Sequence, residues 1–451
     1  MFLKKFRLVF ISLFFFLGLC QPIDAKEDVV ISIGSNDLMS RRFIDYASQY
    51  IYLYDLDNQQ LIYENNGEST FYPASLTKMM TLIVGIENIS DINQMITLDE
   101  TIFQGLVEAQ ASRAGFGIGD SVSVLDLFYG IMLPSGAECT RAIAKLVSGS
   151  EEGYVQLMNE KAQELGMDGT HFVNTSGLHD SNHYSTAKDM ATLLQYCLNN
   201  DLFYQIFTTF EYTSAPTTTY PLGLTMESTT KRYCKKIYDG TCPSLLLGSK
   251  TGFTNPAQYC LASLGEANGH RYILVTGGAP WEDDANNVTD AINTYQYIQQ
   301  HQLSYVPLYQ ANETIADLSI KGTRQHIVIQ ADESIGIYGD DVNAYVEVNE
   351  PLQAPILSNS HVATLVIEDN RGIIGQVPIV VETTIAVNNW VVLLEKMIEW
   401  LNHYWLIITG CGIVLFGLSF VWIRIEKKKA RRRALARRKA LRKARYESKK
   451  E

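Results

Sequence analysis

Nineteen consecutive residues without a charge, Trp405 to Ile423 (WLIITGCGIVLFGLSFVWI), leave the C-terminal part of this chain few options. An apolar run of that length suits a helix crossing the roughly 30 Å hydrocarbon core of a bilayer. Trp400, Tyr404, Trp405 and Trp422 stand near its two ends, where amphipathic rings settle at the interface. From Arg424 to Glu451 there are 15 Lys and Arg against 3 Asp and Glu, and such a flank stays on the cytoplasmic side. Residues 405–423 therefore read as a single-pass transmembrane helix and 424–451 as a cytoplasmic tail, preceded by an amphipathic juxtamembrane helix over 389–404. At the other end, Lys4, Lys5 and Arg7 precede the apolar run Leu8 to Leu19 and then PIDA. That is the pattern of a secretory signal peptide (1–25), cleaved near Ala25. The body from Lys26 to about Asn402 is expected at the cell membrane on its extracytoplasmic side.

The formal net charge is −12, and the tail carries +12, so the remainder carries −24. A strongly acidic body does not suit a nucleic-acid partner, whose binding needs positive charge on the folded face. At 451 residues the chain exceeds what one core usually supports. Residues 26–304 open with the hairpin pattern YIYLYDLDNQQLIYEN, pass through helical runs, and return to strand pattern at CLASLGEANGHRYILVTGGAP. That order predicts an α+β unit with one antiparallel sheet flanked by helices. Residues 305–388 contain strand-sized runs such as HIVIQA and VPIVVE and predict a small all-β domain. Cys234 and Cys242 bracket a loop short enough for a disulfide, whereas Cys139, Cys197 and Cys260 read equally well as buried thiols. No Cys/His spacing suits zinc, and His179 and His183 lack a third ligand, so neither metal nor cofactor is expected.

Three short clusters carry chemistry. In PASLTK, Ser75 and Lys78 are three residues apart where a helix begins, so the amine shares a face with the hydroxyl. A serine needs an adjacent base to become nucleophilic, and a lysine of depressed pKa supplies one. In LPSGAE, Ser135 lies in a turn between two helical runs, a good place to present a hydroxyl to a cleft. In GSKTGFT, Lys250 and Thr251 suit a carboxylate, and Gly252 lets a ligand approach the backbone, on or beside a sheet edge. S-x-x-K followed by a serine turn and K-T-G is the signature order of penicillin-interactive serine enzymes.

The chain resembles the D-alanyl-D-alanine carboxypeptidases, low-molecular-weight penicillin-binding proteins of peptidase family S11. PASLTKMMT, GDSVSVLDLFYGIMLPSGAE, MNEKAQELGMDGTHFVNTSGL, HYSTAKDMATL and KTGFTNPAQYCLAS carry the resemblance in family order, over about Asp45 to Ile423. It implies the transpeptidase fold shared with serine β-lactamases, with peptidoglycan stem peptides as substrates and β-lactams as covalent inhibitors. It implies Ser75 as nucleophile, Lys78 as its base and Ser135 as proton relay. Lys250 and Thr251, beside Gly252, would grip the terminal carboxylate, and the backbone N–H groups of Ser75 and Phe253 would form the oxyanion hole. One position departs: Ala137 stands where the family usually has Asn, so an amide contact to substrate and a partner for Lys78 are missing. Such a loss typically costs about 1–3 kcal/mol. Two other functions compete, a serine β-lactamase and a cell-wall-binding protein impaired by Ala137.

Overall fold

The computed structural model describes residues 28–34, 44–238, 241–281, 286–348 and 350–447. The expected signal segment, 1–25, lies outside the described residues.

The first described strand, β1 (Val29–Ile33), belongs to a sheet met later in the chain. The hairpin pattern then gives β2 (Tyr50–Asp55) and β3 (Gln60–Asn65), paired antiparallel. Alternation along YIYLYD sends Ile51, Leu53 and Asp55 to one face and Tyr50, Tyr52 and Tyr54 to the other. Both faces are covered. The tyrosines pack against a helical layer, while Ile51 and Leu53 pack against the helix Asn286–Gln300 through Val288, Ile292 and Tyr295. Strands β4 (Leu246–Thr254), β5 (Gln258–Ala267) and β6 (His270–Ala279) complete a five-stranded sheet of order β4-β5-β6-β2-β3, antiparallel at each junction. The predicted α+β architecture is thus the observed one, with β4 at the sheet's edge.

In the helical layer, α1 (Thr77–Asn88) is buried continuously from Thr77 to Gly85. A helix buried on all sides is a core element, so any polar group it carries must find its partner inside the protein. Helices α2 (Val124–Met132) and α3 (Ala137–Ser148) pack against it, and the short link between them holds Ser135. The helix predicted to start near Ser75 is observed: it opens with a 3₁₀ turn, Ala74–Leu76, that leads directly into α1.

The β-rich unit has its own core, including Ile327, Ile329, Leu365, Ile367 and Ile379. Here the expected boundary at residue 26 takes a correction. Strand β1 pairs in parallel with His326–Ala331, Val29 opposite Ile327 and Ile33 opposite Ala331, and Ile33 is buried in that core. A pairing across almost 300 residues leaves no local trace in sequence.

The two units meet at Asp55. Its buried carboxylate accepts from the backbone N–H groups of Asp57 (2.9 Å) and Asn58 (2.8 Å) and from the Asn58 amide (3.0 Å). The hydroxyl of Tyr338, which belongs to the β-rich unit, donates to the same carboxylate. Beyond that unit runs one continuous helix, Asn389–Glu447, covering the three segments predicted separately. Its first turns are tied to the Gly322 turn, where Glu395 accepts from the Gly322 N–H (3.1 Å) and Asn388 donates to the Gly322 carbonyl (2.8 Å).

Replacing Tyr338 by Phe removes one partner from a carboxylate that water cannot reach. A cost of about 1–3 kcal/mol is expected, read as a lower urea midpoint for unfolding; an unchanged midpoint would show that the contact contributes nothing.

Candidate active site

The Ser75 turn is set by two glycines from distant parts of the chain. Ala74 adopts φ +48°, an unfavourable value for a residue with a Cβ. A Cβ on Gly252 of β4 would lie 2.9 Å from the Pro73 carbonyl oxygen and 3.1 Å from the Ser75 nitrogen. A Cβ on Gly177 would lie 1.8 Å from the Ala74 carbonyl oxygen. Only glycine allows the edge strand on one side and the 174–178 turn on the other to press this closely. Ser75 is consequently held at the junction of three segments.

Lys78 follows on the first turn of α1 and is 2% exposed. Its Nζ donates to Ser75 Oγ at 2.9 Å and to the Ser176 carbonyl at 2.5 Å. Burial disfavours the ammonium and brings the Lys78 pKa down to about 7. The charge on Glu138 opposes that shift. The amine is therefore poised between its two forms near neutrality, already bonded to the hydroxyl whose proton it would take.

The Ser176 carbonyl owes its position to Asn174. The Asn174 Oδ1 accepts from the N–H groups of Ser176 (3.2 Å), Gly177 (2.7 Å) and Leu178 (3.2 Å). Within the stretch NTSGL no side-chain type marks a part in the site. A backbone carbonyl carries no residue-type signal; the Asn-to-Gly spacing of a tight turn was the available clue. His183 lies in a loop and has a structural partner there. Its Nε2 lies 2.7 Å from Thr77 Oγ, and burial lowers its pKa to about 4, so the neutral ring braces the start of α1.

Ser135 has φ +67°, is buried, and its Oγ has no hydrogen-bond partner. A buried hydroxyl without a partner is uncommon in folded proteins. The following residues fix it in place. The Gly136 N–H donates to the Gly130 carbonyl (2.8 Å), and the Ala137 N–H donates to the Ser112 carbonyl (2.8 Å). Glu138 is fully buried, accepts from the Gly115 N–H at 2.9 Å, and burial raises its pKa. Its carboxylate thus lies in a backbone cradle at the start of α3. There it supplies the negative potential that Lys78 feels, near the position where alanine replaces an amide.

Lys250 is buried on β4, and its Nζ donates to the Thr251 carbonyl at 2.7 Å. Burial, then repulsion from Lys78 and Arg232, holds its pKa well below the ordinary lysine value. An arriving carboxylate would relieve both penalties. Thr251 Oγ lies 2.5 Å from Thr229 Oγ, and Ser249 Oγ donates to Thr230 Oγ at 2.7 Å. The helix Thr229–Ile237 is thereby bound to the strand. Phe253, 42% exposed, leans on the Tyr259 ring with centroids 4.9 Å apart. Cys234 and Cys242 are disulfide-bonded, while Cys139, Cys197 and Cys260 are free and buried. Among the described residues no group of three potential ligands could hold a metal ion.

The family model described as D-alanyl-D-alanine carboxypeptidase, peptidase S11, matches residues 38–280. The chain belongs to that family. The model for the C-terminal domain of penicillin-binding protein 5 matches residues 304–386, the β-rich unit. D-alanyl-D-alanine carboxypeptidase DacF of Bacillus subtilis is 29% identical over 77% of this chain and 88% of its own length. DacA of Escherichia coli is 27% identical over 80% and 88% respectively. The crystal structure of the Streptomyces K15 DD-transpeptidase superposes with a TM-score of 0.51 at 25% identity, covering 56% of this chain and 97% of that one. This S11 member therefore carries the family architecture through both units.

Two variants test the positioning. Gly177→Ala should displace the Ser75 turn and slow acylation by on the order of 100-fold. Gly149→Ala, at a similar φ of +79° but with nothing within 4 Å of the added methyl, should leave acylation unchanged. Equal rates in the two variants would refute the packing argument. In Glu138→Gln the charge holding the Lys78 pKa up is lost. The acid limb of the acylation profile should then move below its wild-type position near pH 7; a shift to higher pH would contradict the assigned electrostatics.

Proposed function

We propose that the chain is a serine-type D-alanyl-D-alanine carboxypeptidase that removes the terminal D-alanine from peptidoglycan stem peptides. The observation that carries this reading is the bond from a buried amine of pKa about 7 to the Ser75 hydroxyl, at 2.9 Å. Ser75 Oγ attacks the carbonyl of the terminal peptide bond as its proton passes to Lys78. The tetrahedral oxyanion lies by the N–H groups of Ser75 and Phe253, where Gly252 lets strand and turn approach. Ser135, whose hydroxyl has no protein partner among the described residues, passes its proton to the departing nitrogen as the C–N bond breaks and takes one from the Lys78 ammonium, which leaves that amine neutral again. D-Alanine leaves and an ester to Ser75 remains. Water, deprotonated by Lys78, then cleaves the ester and restores the serine. Lys250 and Thr251 hold the substrate's terminal carboxylate, for which the buried, uncompensated Lys250 amine is suited.

A β-lactam presents a strained amide and a carboxylate in the same relation and should acylate Ser75. The apolar stretch of the Asn389–Glu447 helix, with mean hydropathy 2.3 and no residue buried, supports a single membrane span. The basic flank from Arg424 then lies in the cytoplasm and both folded units face the cell wall. Glu138 is bonded to the 115 amide rather than to Ser75 or Ser135, which favours a peptidase over a fast-deacylating β-lactamase.

Mass spectrometry of the protein after exposure to benzylpenicillin should show one adduct, located on Ser75 and absent from Ser75→Ala. The same preparation should release D-alanine from a D-Ala-D-Ala-terminated pentapeptide. Labelling that persists in Ser75→Ala, or a persistent adduct without any D-alanine release, would overturn the reading.

A further inference from the structure

A polar cavity of about 550 Å³ opens beside the Ser135 turn and is lined by Arg113, Pro134, Thr225, Glu227 and Arg232, among others. Pro134 directly precedes Ser135, so the cavity adjoins the catalytic cleft. Its charge balance is uneven. Glu227, the acid among the lining residues, is already matched by Lys235 at 2.5 Å and Lys231 at 3.3 Å. Arg113 and Arg232 are both exposed; among the described residues neither guanidinium lies within ion-pair distance of a carboxylate, and Arg113 acts only at longer range on Glu138. Two guanidiniums thus line one cavity without a close carboxylate among the described residues, and their planar forks suit carboxylates.

Both arginines sit on backbone tied to the catalytic motifs. Arg113 lies between two anchors, the Ser112 carbonyl held by the Ala137 N–H (2.8 Å) and the Gly115 N–H held by Glu138 (2.9 Å). Arg232 lies on the first turns of the helix bonded to β4 through Thr229–Thr251 and Thr230–Ser249. The site is therefore preorganised relative to Ser135 on one side and Thr251 on the other.

Resting on the carboxypeptidase reading, we infer that Arg113 and Arg232 form a second carboxylate subsite. It selects D-Ala-D-Ala peptides bearing a further free carboxylate over the same peptides carrying carboxamides. The preference arises in binding, so it appears in KM rather than kcat, and it weakens with salt.

The test uses the full chain in detergent micelles and two acetylated pentapeptides ending in D-Ala-D-Ala. One carries free carboxylates on its internal D-isoglutamyl and diaminopimelyl residues; in the other both are carboxamides. D-Alanine release from the acidic peptide should show a kcat/KM about tenfold higher, corresponding to about 1.4 kcal/mol. In the double variant R113Q/R232Q the acidic peptide should fall to the level of the amidated one. Equal kcat/KM for the two peptides in the wild type overturns the subsite alone, as does a preference that survives the double variant. Release from neither peptide overturns the subsite together with the carboxypeptidase reading beneath it.

Discussion

An amine that the fold keeps out of water is the constraint on which the remainder of this molecule depends. Lys78 lies on a helix buried from Thr77 to Gly85, and its charged form is penalised wherever the helix packs. Two acceptors make the position tenable, the Ser75 hydroxyl and the Ser176 carbonyl. Each is delivered by a different part of the chain. The 3₁₀ turn that carries Ser75 is pinned by Gly252 and Gly177, and the Ser176 carbonyl is aimed by Asn174. The packing that lowers the Lys78 pKa also places the Ser75 hydroxyl within its reach. Reactivity and stability are opposed here, since a buried lysine is costly and is retained for its chemistry.

The positive charges around the cleft follow the same logic. Lys250 is buried close enough to Lys78 and Arg232 to feel both, with no carboxylate bonded to it among the described residues. A carboxylate brought to this place would relieve the cost of that cationic potential, which is the basis of the proposed grip on the substrate. Glu138 has the opposite sign and a different task. Held through one oxygen by the Gly115 N–H, it moderates the depression at Lys78.

Much of this was legible in the sequence because the reactive side chains lie in short local patterns. Ser75 and Lys78 share one helical face, Ser135 sits between two helical runs, and Lys250 to Phe253 precede a recognisable strand. The hairpin Tyr50 to Asn65 and the apolar run Trp405 to Ile423 were equally plain, since period and length are properties of contiguous residues. What escaped depends on contacts between distant segments or on backbone atoms. The Ser176 carbonyl is invisible to residue type. Gly177 shows its purpose only against the Ala74 carbonyl. Glu138 reads as an ordinary acid in the first turn of a helix until its burial is known. The parallel pairing of Val29–Ile33 with His326–Ala331 bridges sequence positions that no local pattern connects.

The central claim is that Lys78, and not a more distant group, takes the Ser75 proton because burial has made its amine weakly basic. Lysine side chains labelled with ¹³C at Cε allow each amine to be titrated by NMR, with Lys78→Arg identifying its resonance. The account predicts a Lys78 midpoint near pH 7 in the uninhibited protein. A midpoint close to that of an exposed lysine would contradict it.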